Sequence, residues 1–154
     1  MAQQLSDDQT ATLINSANGP QQVNVKIFGG SSVCTNGILA LTLPAGYSYK
    51  PNSAFVTPYN AADVAGAAIP IATESIAGST TNLTIPTIAA GNYVVVTYEA
   101  SAACGAETGN ISYTLNACGA PASTELGPVN IKKAKLNISI SPETYVAPGT
   151  GVTY

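Results

Sequence analysis

Two runs constrain the fold of this chain more than any others: ILALTLPAGYSY at residues 38–49 and IPTIAAGNYVVVTYEA at residues 85–100. Each joins an apolar strand pattern to a turn carrying Pro or Gly. In the first, Leu39, Leu41 and Leu43 share one face while Ala40 and Thr42 take the other. In the second, Val94, Val95 and Val96 are apolar on both faces, which suits a central strand covered by an opposing sheet on one side and partly covered on the other. The same period of two recurs in Val23, Val25 and Ile27 against Asn24 and Lys26, in Leu83 and Ile85, in Ile111, Tyr113 and Leu115, and in Leu136, Ile138 and Ile140. These spacings predict an all-β chain folded as an antiparallel β-sandwich. A charge at Leu41 or Val95 is expected to be buried without a partner.

Turn formers separate the strands: Asn18-Gly19-Pro20, Gly29-Gly30, Pro44-Ala45-Gly46, Ala90-Gly91-Asn92, Thr108-Gly109-Asn110 and Pro148-Gly149. The best helix candidate, 59–68, is Ala-rich but interrupted by Asp63 and Gly66, and reads as a loop. At Cys118 the texture changes. Residues 118–128 are turn-rich, a strand pattern resumes over 129–140, and the chain ends on Val152-Thr153-Tyr154. The division expected is a sandwich over residues 1–120 and, over 121–154, a linker plus either the last strand of this sandwich or the opening strand of a following unit.

Composition narrows the chemistry. There is no His, Arg or Trp, so the commonest acid–base group, the bidentate anion binder and the strongest sugar-stacking platform are all missing. Charged residues make up 8% of the chain against about 25% in ordinary globular proteins. With a net charge of −3, and three of its five lysines together at Lys132, Lys133 and Lys135, the chain lacks the cationic face that nucleic acid requires. Those lysines read as a solvated strand edge that resists edge-to-edge pairing. No apolar stretch reaches the roughly 20 residues of a membrane span. The opening MAQQLSDDQT lacks the features of a signal peptide, so an export signal is expected outside this sequence. The three cysteines, Cys34, Cys104 and Cys118, show none of the CxxC spacing of metal or redox sites, which leads us to expect one disulfide and one cysteine left over.

The motifs resemble a known family, the conserved repeat domain of unknown function found in tandem in giant bacterial cell-surface adhesins. Its strands end in LPAG followed by an aromatic, here Leu43-Pro44-Ala45-Gly46-Tyr47; an apolar turn of the laaG type, here Ile88-Ala89-Ala90-Gly91, leads into the long strand Tyr93-Val94-Val95-Val96-Thr97-Tyr98. The tail VAPGTGVTY, 146–154, is similar to the opening of such a repeat, with Thr150 where the family often carries an acid. The segments SSVCTNG and SAACGAE are most similar to versions in the gliding adhesins of Bacteroidetes-type bacteria. The resemblance implies an immunoglobulin-like sandwich exported to the extracellular cell surface. There it would serve as a non-catalytic structural or adhesive repeat in attachment or gliding, with neighbouring repeats of the same polypeptide as partners. Two other readings stay open: a self-assembling fibre or surface-layer subunit completed by strand exchange, and a carbohydrate-binding module that takes surface glycans.

Immunoglobulin-like topology implies that the loops carrying Cys34 and Cys104 lie at the same end, which favours a Cys34–Cys104 bond over Cys104–Cys118 or no bond. A cysteine nucleophile would need a base, and the chain has no His to supply it, so no enzyme is expected. No cofactor is required by these residues. Calcium is the one metal worth weighing, through Asp7 with Asp8 or Asn60 with Asp63, but the dense D-x-D-x-D spacing is missing and solvated loop acids are the reading preferred. Lys26, considered for an isopeptide bond, alternates onto the face opposite Val25 and Ile27 and reads as a surface lysine. Tyr47, Tyr49, Tyr59 and Tyr93 flank turns and form the candidate adhesive surface, since a tyrosine ring offers amphipathic contact at low entropic cost.

Overall fold

A computed structural model describes residues 4–6, 11–14, 19–116 and 123–132, with side chains over 19–116. The strands are β1 (Gln4–Ser6), β2 (Ala11–Ile14), β3 (Gln21–Phe28), β4 (Gly37–Thr42), β5 (Tyr47–Tyr49), β6 (Phe55–Tyr59), β7 (Ile69–Pro70), β8 (Glu74–Ala77), β9 (Thr80–Ile85), β10 (Tyr93–Ala102), β11 (Gly109–Asn116) and β12 (Ser123–Lys132). No helix occurs among the described residues. They form two sheets, one ordered β1-β3-β10-β6-β7 with β5 also on β10, the other β2-β12-β11-β4-β9-β8. Pairing is antiparallel throughout except for β2 beside β12. The result is an immunoglobulin-like β-sandwich.

Alternation decides which side chains meet between the sheets. Val23, Val25 and Ile27 of β3 and Val94, Val96, Tyr98 and Ala100 of β10 face Leu39 and Leu41 of β4, Leu83 and Ile85 of β9 and Ile111, Tyr113 and Leu115 of β11, all buried. Near the middle of this layer the Tyr98 and Tyr113 hydroxyls hydrogen-bond at 2.8 Å, joining one sheet to the other inside the core. Loops seal the two ends. At one, Cys34 and Ile88 exchange backbone bonds of 2.9 and 2.8 Å. At the other, Leu43, Tyr47 and Ala106 close over the layer, and Gly46 stands so near Ala106 that a Cβ there would meet the Ala106 Cβ at 3.0 Å. Gly46 also holds φ of 87°, so the LPAG glycine answers to both sterics and backbone conformation.

Three readings change. Val95 is only half-buried because it alternates onto the outer face of β10, opposite Lys26 on β3. The turn-rich texture after Cys118 gives way by Ser123 to a strand, which pairs with β11 from Leu115↔Ser123 to Gly109↔Val129. Pro128 is tolerated there because β2 joins β12 only from Val129 onward, leaving the earlier stretch a neighbour on one side alone. Short strands β6 to β8 add pairing over 55–77, where no alternating pattern marks a strand, while 60–68 between β6 and β7 is the loop its sequence predicts. The strand pattern over 136–140 lies outside the described residues.

The two faces of the central strands predict opposite outcomes for the same chemistry. Leu41→Asp, in a fully buried site, should cost about 4 kcal/mol or more and leave the chain unfolded or nearly so. Val95→Asp sets a carboxylate opposite Lys26 at the surface and should cost about 1 kcal/mol or less. Chemical denaturation of the two variants measures the difference.

Candidate functional site

The outer face of the first sheet carries a row of aromatic rings that follows from strand register. Tyr93 opens β10 and is paired across the sheet with Phe28 on one side and with Tyr59 on the other. Cross-strand neighbours on one face come within contact distance. Tyr59 and Tyr93 are stacked, with ring centroids 4.8 Å apart and planes 5° apart, while Phe28 and Tyr93 meet at 5.9 Å and 48°. Lys26, two residues before Phe28 and therefore on the same face, places its Nζ 4.0 Å from the Tyr93 centroid and 4.8 Å from that of Phe28. The cation and rings attract through the ring quadrupole by about 0.5–1 kcal/mol at an exposed site. This is also where Lys26 goes instead of the core, as alternation requires.

The loop between β6 and β7 braces the row. The Asn60 Oδ1 accepts from the Ala62 and Val64 backbone N–H groups at 2.9 and 3.0 Å, and Asp63 sits at φ of 60°. An acidic residue tolerates that left-handed conformation better than most. Asp63 Oδ1 in turn accepts from the Tyr93 hydroxyl at 2.8 Å. Both side chains of the Asn60 and Asp63 pair thus make bonds within the protein, and among the described residues no cluster of three His, Cys, Asp or Glu is found. Asp7 and Asp8 lie outside the described residues.

Of the four tyrosines expected at one surface, two meet. Tyr59 and Tyr93 are the stacked pair, while Tyr47 and Tyr49 pair with Ala102 and Ala100 at the far end of β10, roughly 23–30 Å away at strand rise. Tyr47 is 7% exposed and donates its hydroxyl to the Glu107 carbonyl at 2.8 Å; burial, then the nearby Glu107 charge, raises its pKa. Tyr49 packs beside Tyr98 and donates to Glu74 Oε2 at 2.6 Å, and burial followed by that bond holds its phenol well above the usual range. Glu74 Oε1 accepts from the Asn52 N–H, so the pair ties β8 to the other sheet. Both tyrosine hydroxyls are thus engaged within the fold. Phe28 and Lys26, which complete the row, have as their only sequence signal a spacing of two on one strand.

The expected Cys34–Cys104 bond is not formed. Cys104 is a free, exposed thiol, whereas Cys34 is 1% exposed and is not free. The reason is strand direction. β3 runs antiparallel to β10, so the loop after β3 lies beside the start of β10, while Cys104 follows the end of that strand. Cys118 lies outside the described residues.

The architecture is shared with domains of bacterial surface proteins. The collagen-binding domain of a Staphylococcus aureus adhesin aligns with a TM-score of 0.50 at 8% identity, over 84% of this chain and 97% of that one. The collagen-binding subdomain of the Enterococcus faecalis surface protein ACE aligns at 0.47 and 16%, over 77% and 93%. The pilus 2b backbone protein of group B streptococcus aligns at 0.49 and 16%, over 84% of this chain and 57% of that one. At these identities the likeness is one of fold. No protein-family model and no curated protein sequence matches the chain.

Burial and strand direction together predict thiol reactivity. Iodoacetamide added to the native, unreduced protein should label Cys104 and spare Cys34, as read by peptide mass mapping; labelling of Cys34 at a comparable rate would contradict its place in the core.

Proposed function

We propose that this chain is a non-catalytic structural and adhesive module of a large bacterial cell-surface protein, working outside the cell beside neighbouring repeats. Within that class we favour the gliding-adhesin type of repeat that the LPAG and IAAG motifs resemble. The observation that carries the adhesive reading is the aromatic row of Phe28, Tyr93 and Tyr59 on an outer sheet face. Cross-strand ring pairs add only about 0.2–1 kcal/mol each to a sheet, so three aromatic rings and a cation on one outer face exceed what folding asks of it, whereas such residues are favoured where surfaces meet. The neighbours in fold support the same reading, since they include collagen-binding domains and a pilus backbone protein. Chemistry points the same way. The free thiol of Cys104 has no imidazole in the chain to activate it, and the best-connected acids, Asp63 and Glu74, are engaged by Tyr93 and Tyr49.

Particles coated with the chain, held under flow on collagen-coated and polysaccharide-coated surfaces, test this. We expect retention on at least one surface, and its fall to the level of uncoated particles in the triple variant Phe28→Ala, Tyr59→Ala, Tyr93→Ala, which should stay folded with a melting temperature lowered by the lost ring contacts. Equal retention by the triple variant would remove the row from the account.

A further inference from the structure

Beside the aromatic row lies a cleft of about 290 Å3, lined among others by Tyr59, Asn60, Val64, Ala65 and Asn92. We propose that it is a subsite for a single neutral sugar ring of a surface glycan, a proposal that rests on the adhesive reading above.

Four features of the cleft fit that ligand. First, it is neutral. None of its lining residues is charged, and the charges of the aromatic row and its loop are already engaged, with Asp63 bonded to the Tyr93 hydroxyl and Lys26 lying over the rings of Phe28 and Tyr93. An anionic ligand would find no counter-charge. Second, one wall is a ring held in place. Tyr59 lines the cleft and is stacked on Tyr93, which fixes its ring. Such a wall is already ordered before a ligand arrives, and preorganisation spares the entropy of fixing it. Val64, 59% exposed, and Ala65 add apolar surface for the C–H face of a sugar.

Third, the polar groups are amides. Asn60 spends its Oδ1 on the loop, which orients its Nδ2 as a donor that bonds none of the described residues. Asn92 gives its backbone carbonyl to the Gly29 N–H at 2.7 Å and its own N–H to the Ala89 carbonyl at 3.2 Å, and its side-chain amide likewise bonds none of the described residues. Amides that both donate and accept match adjacent hydroxyls, each of which does the same. Fourth, the volume falls just below the roughly 300–1,000 Å3 of sites that enclose drug-sized ligands, which suits one ring with the rest of a chain in solvent. A proline-rich peptide fits less well. It offers carbonyl acceptors with few N–H donors and needs an extended groove rather than a single-ring cleft.

The test is a titration of the intact, isotope-labelled chain with the methyl glycosides of glucose, galactose, mannose and N-acetylglucosamine. Amide shifts and saturation transfer are read out by NMR, with a Pro-Pro-Gly repeat peptide run in parallel. The expected result is millimolar binding of at least one glycoside, with shifts confined to 58–66 and 92. That binding should weaken about tenfold or more in Tyr59→Ala and in Asn92→Ala, and remain unchanged in Tyr49→Phe at the far end of the sheet. The absence of shifts with all four glycosides overturns the subsite, as does binding elsewhere, or binding of the peptide in place of the sugars. If the coated particles still adhere under flow when the glycosides fail, the subsite falls and the adhesive reading stands. If neither the particles nor the glycosides bind, both fall.

Discussion

The hydrogen bond between Tyr98 and Tyr113 is the contact around which the sandwich is organised. Both side chains are almost wholly buried, one on the central strand β10 and the other on β11 of the opposite sheet, and their hydroxyls meet at 2.8 Å. An apolar layer between two sheets tolerates many alignments, because hydrophobic attraction has no direction. A buried hydroxyl pair tolerates few, since slipping one strand by a residue would turn a tyrosine outward and take this bond from its partner. The pair therefore sets how the sheets lie on one another while the surrounding aliphatic residues supply the bulk of the stabilisation.

The same strand connects the core to the proposed contact surface. β10 sends Val94, Val96 and Tyr98 inward and Tyr93, Val95 and Thr97 outward, so the alternation that builds the core also spaces the outer residues. Register does the rest. With β3 and β6 locked against β10, Phe28 and Tyr59 have little choice but to flank Tyr93, and Lys26 falls over the rings. The row is assembled by the same backbone pairing that holds the sheet together, and its rings are ordered before any partner approaches. Rigid aromatic side chains of this kind lose little entropy on contact, which suits a surface meant to hold against many weak encounters.

How much of this can be read from residues alone depends on the range of the signal. Val23, Val25 and Ile27, Leu39 and Leu41, and Ile111 with Leu115 announce their strands and their buried faces, because a period of two is written locally. Gly46 and Gly91 mark their turns for the same reason, and both hold positive φ. Strands β5 to β8 are short, two of them carry Pro58 and Pro70, and Gly66 breaks the loop between β6 and β7, so their pairing is decided by neighbours distant in sequence rather than by pattern. The cysteines show the limit most plainly. Which ends of the sandwich hold Cys34 and Cys104 depends on β3 pairing antiparallel with β10, a fact about two segments some seventy residues apart. Tyr59 and Tyr93 stand out as turn-flanking tyrosines, but that they stack on each other while Tyr47 and Tyr49 turn into the structure is again a matter of register.

A double-mutant cycle on Tyr98 and Tyr113, followed by chemical denaturation, tests the organising role of the hydroxyl pair most directly. Tyr98→Phe and Tyr113→Phe should each cost about 1–2 kcal/mol, because each takes a bonding partner from the hydroxyl that remains. The double variant should cost less than the sum by about 1 kcal/mol, the signature of two groups that act through each other. Strict additivity, or single variants as stable as the parent, would show that the hydroxyl pair does not set the alignment of the two sheets and would contradict the account.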